Sequence, residues 1–129
     1  MGDVSIDENA ETLLRGLVQT LDDMKAEGLK VLDLRGKSPV TDFIILATGT
    51  SDPHLRALRD SLDSYLKENK VGVIGAEKDT GTGWLVVDAF DVMVHLQTEA
   101  MREFYALDFL WKDATEISSY FGSSVPSGR

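Results

Sequence analysis

The chain has 129 residues, 43% of them hydrophobic and 27% charged, proportions that exclude collagen-like, disordered and disulfide-scaffold classes. That length suits one domain, with roughly two-thirds of the unfolded surface buried on folding. Thirteen Lys and Arg against 22 Asp and Glu give a net charge of −9, a field that repels phosphate backbones and anionic lipid and attracts a basic protein.

No direct nucleic-acid binding and no membrane association are therefore expected. Cysteine is absent, which removes disulfides, thiolate catalysis, Cys-ligated zinc and iron-sulfur clusters. The acidic start, residues 1–8, lacks the basic-then-apolar layout of a secretory signal. The uncharged, strongly apolar run at residues 43–51 is far too short to cross a bilayer. A cytoplasmic location is the expectation.

In chain order, Leu13, Leu14, Leu17, Val18, Leu21 and Met24 recur at helical spacing, predicting a helix from about Asn9 to Glu27 with Gly28 as its stop. Leu29 to Leu34 reads as a short strand, and Gly36 to Pro39 as a turn. Phe43 to Thr48 is almost continuously apolar and β-branched, the pattern of a central strand covered on both faces. Asp52 or Ser51 caps the next helix, Pro53 opens it, and Leu55, Leu58, Leu62, Tyr65 and Leu66 form its stripe up to about Asn69. Val71 to Ile74 is a third strand, and Gly75 to Gly83 a polar, mobile loop holding Glu77, Lys78 and Asp79.

Trp84 to Asp88 and Asp91 to Leu96 are strand-like runs around Ala89-Phe90, the best hairpin signal in the chain. A final helix from about Thr98 to Thr115 carries more aromatic residues than one packed face accounts for. That surplus leaves a homodimer open. The expected fold is α/β: a mixed β-sheet of about five strands with helices packed on its faces. Residues 1–117 form the single domain and 118–129 a flexible tail.

With Ala89 and Phe90 as the loop, Asp88 lies opposite Asp91 and Trp84 opposite His95. Leu85, Val87, Val92 and Val94 then share an aliphatic face, while Trp84, Val86, Met93 and His95 share the other with the two aspartates. Opposed carboxylates favour a cation at the tip, from Arg102 or from a partner. Two readings of the second face stand side by side. In one, a helix covers it and Trp84 and Met93 are core; in the other, Trp84 anchors a protein interface rimmed by acid.

Gly49-Thr50-Ser51, between a strand and a helix, is the feature that speaks for nucleotide chemistry. Metal-assisted phosphoryl transfer needs carboxylates two apart on one strand and a third beside them. Asp88 and Asp91 are three apart, Asp33 is single, and Asp52 would repel a phosphate. His54 and His95, the two histidines, lack zinc-site spacing, and His54 reads as a first-turn surface residue. No cofactor, no metal and no enzyme activity are expected.

Residues 40–51 (VTDFIILATGTS), 83–88 (GWLVVD), 91–95 (DVMVH) and 102–111 (REFYALDFLW), in this order, closely resemble the ribosomal silencing factor (Iojap-related) family over about Leu13 to Ala114. The resemblance implies a translation repressor with a nucleotidyltransferase-like core that lacks the catalytic carboxylates. It implies binding to the large ribosomal subunit through large-subunit ribosomal protein fourteen, blocking small-subunit joining under nutrient limitation. Trp84, Asp88, Asp91, His95, Arg102, Glu103 and Tyr105 match the family's motifs. The expected binding surface, an aromatic anchor ringed by acid, comprises Trp84, Asp88, Asp91 and Tyr105, with Phe90 and Glu77 as rim contacts and His95 and Arg102 orienting it. The chain departs from the family pattern at Glu77-Lys78, usually Glu-Gly, and at Phe90, usually Gly. The other readings are a nucleotide-binding or nucleotidyltransferase-type enzyme and an acidic adaptor for another basic protein.

Overall fold

Asp7 caps α1 (Glu8–Asp23), its carboxylate accepting the Asn9 N–H at 3.1 Å, and Leu14, Leu17, Val18 and Leu21 form the buried stripe. The computed structural model describes residues 6–38, 41–69, 75–76 and 83–121. The helix ends before Glu27. Lys25 takes a left-handed φ of 65°, its N–H donating to the Asp22 carbonyl and that of Ala26 to Leu21, both at 3.0 Å. This paired bonding closes the helix and releases Glu27 to open β1 (Glu27–Asp33). Gly28, expected as the stop, sits instead at φ 58° in a bulge between Glu27 and Lys30.

β2 (Phe43–Gly49) is buried at every position, as its continuous apolar run predicts. Ser51, not Asp52, caps α2 (Asp52–Glu68), accepting the His54 N–H at 3.2 Å. The strand expected at Val71–Ile74 lies outside the described residues. β3 (Gly75–Ala76) falls within the expected polar loop and pairs antiparallel with Val87 and Asp88.

β4 (Trp84–Ala89) and β5 (Val92–Thr98) form the hairpin in a different register. The loop is Phe90-Asp91, with Ala89 opposite Val92, Asp88 opposite Met93, Val86 opposite His95 and Trp84 opposite Gln97. The expected Asp88–Asp91 pair does not form. Each partner moves by two, an even number, so every side chain keeps its assigned face. Leu85, Val87, Val92 and Val94 are buried, while Trp84, Val86, Asp88, Met93 and His95 are half-buried opposite.

The last helix breaks. α3 (Glu99–Tyr105) and α4 (Leu107–Leu110) meet at Ala106, a non-glycine residue at φ 51°, ψ 47°. β6 (Thr115–Glu116) follows where helix was expected and pairs with Leu32 and Asp33. The sheet is mixed, ordered β3-β4-β5-β2-β1-β6, with β2 and β5 its parallel pair. Two of its six strands, the short β3 and β6, fall outside the expected strand segments.

Ser118–Phe121, expected to be part of a flexible tail, is a 3-10 turn with Ser118 and Phe121 buried. The Val31 N–H donates to the Ser118 hydroxyl, and the Ile117 N–H to the Val31 carbonyl, each at 2.8 Å. A side-chain hydroxyl thus continues the ladder where β6 ends. α1 and α2 cover one sheet face with the main core. The other face holds a smaller cluster, Leu32, Leu34, Ile44, Leu46 and Leu107, with Trp84, Met93, Trp111 and Ala114 packed at its margin.

Candidate functional site

Alternation puts Trp84 and His95 on the thinly covered face, on adjacent strands. The Trp84 Nε1–H donates to His95 Nδ1 at 3.1 Å, so the imidazole proton sits on Nε2. Tyr105 lies on the indole with ring centroids 4.8 Å apart, and Phe104 meets Tyr105 edge-on at 4.9 Å. Trp84 is covered in part, as the first reading has it, by α3 and α4, and the aromatic surface continues outward. Phe104 is 77% exposed, Phe109 68%, Leu110 63% and Tyr105 49%. Scattered exposed apolar residues need no explanation, but a contiguous run of them marks an interaction surface. The pattern of residues missed Phe104, Phe109 and Leu110 individually; their signal was the aromatic surplus of the final segment.

Burial pushes the His95 imidazole down to about 4. An unfolded histidine titrates near 6.5, so below that pH the unfolded chain binds a proton that the folded chain refuses. This contribution to stability is complete above about pH 6.5 and falls as pH drops toward 4. Between pH 7 and 4.5 the expected loss is about 2 kcal/mol. His95→Gln keeps an acceptor for the indole and removes the titration. Urea unfolding of the variant at the two pH values should show that part of the slope gone; an unchanged slope refutes the assignment.

Arg102 is a hub on the same face. Its Nε and Nη2 donate to the two Asp108 oxygens at 2.9 and 3.0 Å, and its Nη1 to the Gly28 carbonyl at 2.6 Å and Thr48 Oγ1 at 3.0 Å. Lys30 adds a 2.9 Å contact to Asp108. Hydrogen bonds from Arg102 hold the Asp108 carboxyl well below the usual carboxylate range. The β1 bulge turns the Gly28 carbonyl to this guanidinium, and the pull on Asp108 accompanies the kink at Ala106. Arg102 therefore serves the α3–α4 junction, and the expectation that it neutralises the hairpin tip is not met.

At the tip, the Asp91 carbonyl accepts the Thr41 hydroxyl at 2.9 Å and the Asp42 and Phe43 N–H groups at 3.2 and 2.9 Å. The turn is thereby tied to the start of β2. Among the described residues neither Asp88 nor Asp91 forms an ion pair. Glu77 lies outside the described residues.

The Gly49-Thr50-Ser51 turn is internally satisfied. His54 Nδ1 accepts the Thr50 N–H at 3.0 Å and Nε2 donates to the Met24 carbonyl at 2.8 Å, so this ring, expected at the surface, joins the end of α1 to the start of α2. Ser51 Oγ is engaged by the His54 backbone. Among the described residues no group of three or more His, Asp or Glu side chains could hold a metal, and no helix is long and apolar enough to cross a membrane.

A family model described as "Ribosomal silencing factor during starvation" matches residues 7–127. The chain belongs to the ribosomal silencing factor family. The ribosomal silencing factor of Haemophilus influenzae is 36% identical over 99 residues, 77% of this chain and 97% of that protein. A crystal structure of a Chromobacterium violaceum protein superimposes with a TM-score of 0.76 at 31% identity, covering 79% of this chain and 85% of that one. A Mus musculus relative named "Mitochondrial assembly of ribosomal large subunit protein 1" is 31% identical over 101 residues, 74% of this chain and 43% of that protein. As a ribosomal silencing factor, the chain has the mixed α/β fold that its motifs imply.

Proposed function

We propose that this ribosomal silencing factor binds the large ribosomal subunit through a basic ribosomal protein, large-subunit ribosomal protein fourteen, and sterically blocks small-subunit joining. The observation that carries the reading is the half-open sheet face. There a clamped Trp84 runs through Tyr105 into exposed Phe104, with Phe109 and Leu110 in the following helix. Asp88 and Asp91 lie at the tip of the same hairpin, on a chain of net charge −9. Aromatic anchors supply binding energy, and the surrounding charge selects a basic partner and speeds encounter. The name of the mouse relative, which joins that protein to assembly of the large subunit, supports the same partner class. In this reading Trp84, Asp88, Asp91 and Tyr105 contact the partner, Phe90 and Glu77 rim the contact, and His95 and Arg102 orient it.

Sedimentation through a sucrose gradient with separated subunits at moderate salt tests the reading. The protein should travel with large subunits and lower the yield of joined ribosomes. If it stays at the top of the gradient with active subunits present, the partner is wrong and an acidic adaptor for another basic protein takes its place. If it binds large subunits yet leaves joining unchanged, the steric step fails alone.

A further inference from the structure

Phe90 stands at the first loop position of the β4–β5 hairpin with φ 58°. A bulky L-residue seldom takes this left-handed conformation, where glycine or asparagine sits without strain. Burial does not compensate for the strain, because the residue is 55% exposed. Nor is the loop lax: Thr41, Asp42 and Phe43 all donate to the carbonyl of the next residue, Asp91. An exposed aromatic ring is thus held on a strained backbone in a fixed turn, an arrangement that folding alone does not call for. Asp91 is exposed beside it and Asp88 half-exposed two residues before, neither of them ion-paired among the described residues.

We propose that Phe90 is a preorganised anchor for an arginine side chain of the basic partner, the guanidinium lying on the ring face and the neighbouring carboxylates flanking it. A π-face beside acidic groups is the chemistry that recognises a cation with an apolar stem. Fixing the turn backbone beforehand reduces the ordering cost at the moment of binding to that of the Phe90 side chain itself. The proposal rests on the partner being a basic ribosomal protein and makes the hairpin tip, rather than a rim, one of its main contacts.

Strain and recognition predict opposite effects for one substitution. Phe90→Gly should melt at or above the temperature of the natural chain, since the strain is relieved, yet bind purified large subunits roughly tenfold more weakly. Phe90→Trp, which keeps a π-face, should bind within about twofold of the natural chain, and Phe90→Leu should bind as weakly as the glycine variant. Phe90→Gly binding as tightly as the natural chain overturns the anchor while the proposed function stands. Phe90→Leu binding normally overturns the cation contact. A clearly lower melting point for Phe90→Gly overturns the strain argument. Failure of the natural chain itself to bind large subunits removes both the anchor and the reading beneath it.

Discussion

Trp84→Ala should weaken binding to the large subunit by about 30-fold to 1,000-fold, the range of an interface hot spot worth about 2–4 kcal/mol. The indole is held from two sides, by the hydrogen bond to His95 and by the Tyr105 ring, so its removal also unseats the inner end of the aromatic run. Trp84 packs at the margin of the smaller core cluster, and some stability will go with it. Binding must therefore be measured well below the variant's own melting temperature, with circular dichroism as the check on folding. Trp84→Phe fills most of the space but cannot donate to His95, and should fall between the two. Asp88→Lys removes no core contact and should weaken binding at unchanged stability. A well-folded Trp84→Ala that binds like the natural chain would move the interface off this face.

Arg102→Leu should cost about 2–3 kcal/mol of stability, a fall in melting temperature of roughly 6–12 °C for a domain of this size. The guanidinium is largely buried, at 13% side-chain exposure, and it satisfies the Gly28 carbonyl, Thr48 and both Asp108 oxygens at once. Removing it leaves Asp108 to Lys30 alone and the bulge carbonyl without that donor. Arg102→Lys should recover less than half the loss, since one ammonium cannot span the planar fork of contacts. The same hub gives a second acid-sensitive limb. Asp108 titrates well below an unfolded aspartate, so its contribution is present above about pH 4 and is lost as pH falls further. That limb should flatten in Arg102→Leu. A variant melting within about a degree of the natural chain would show that the hub does not hold the fold.

The parts of this architecture that could be read from residue order are those governed by short-range rules. Apolar spacing located α1 and α2, and the unbroken run at Phe43 located the central strand. Face assignment in the β4–β5 hairpin survived a wrong loop because alternation has a period of two and the slip was two residues. What stayed hidden depends on contacts between distant residues. Lys25 rather than Gly28 adopts the left-handed stop, and Gly28 is instead used where Arg102 approaches: a Cβ there would stand 2.8 Å from Nη1. The kink at Ala106 has no local breaker; it accompanies the reach of Asp108 to Arg102. Ser118 reads as part of a polar tail until Val31 is seen beside it. For the proposed site, the indole and the acidic hairpin were visible, whereas the outward exposure of Phe104, Phe109 and Leu110 emerges only once the final segment is bent.

The β2–β5 pairing has a kinetic consequence. These two strands are parallel and adjacent, yet α2, β3 and β4 all lie between them in the chain. The hairpin of β4 and β5 is local and closes in microseconds to tens of microseconds, but joining it to β2 requires closing that long intervening segment before many contacts reward it. Refolding should therefore be limited by docking the hairpin onto β2. Conservative truncations at the junction, such as Ile45→Val or Val94→Ala, should slow refolding more than equal losses of stability on the outer edge at Ile117. Until that docking is complete, β5 offers an unpaired edge, and concentrated refolding mixtures should aggregate through it.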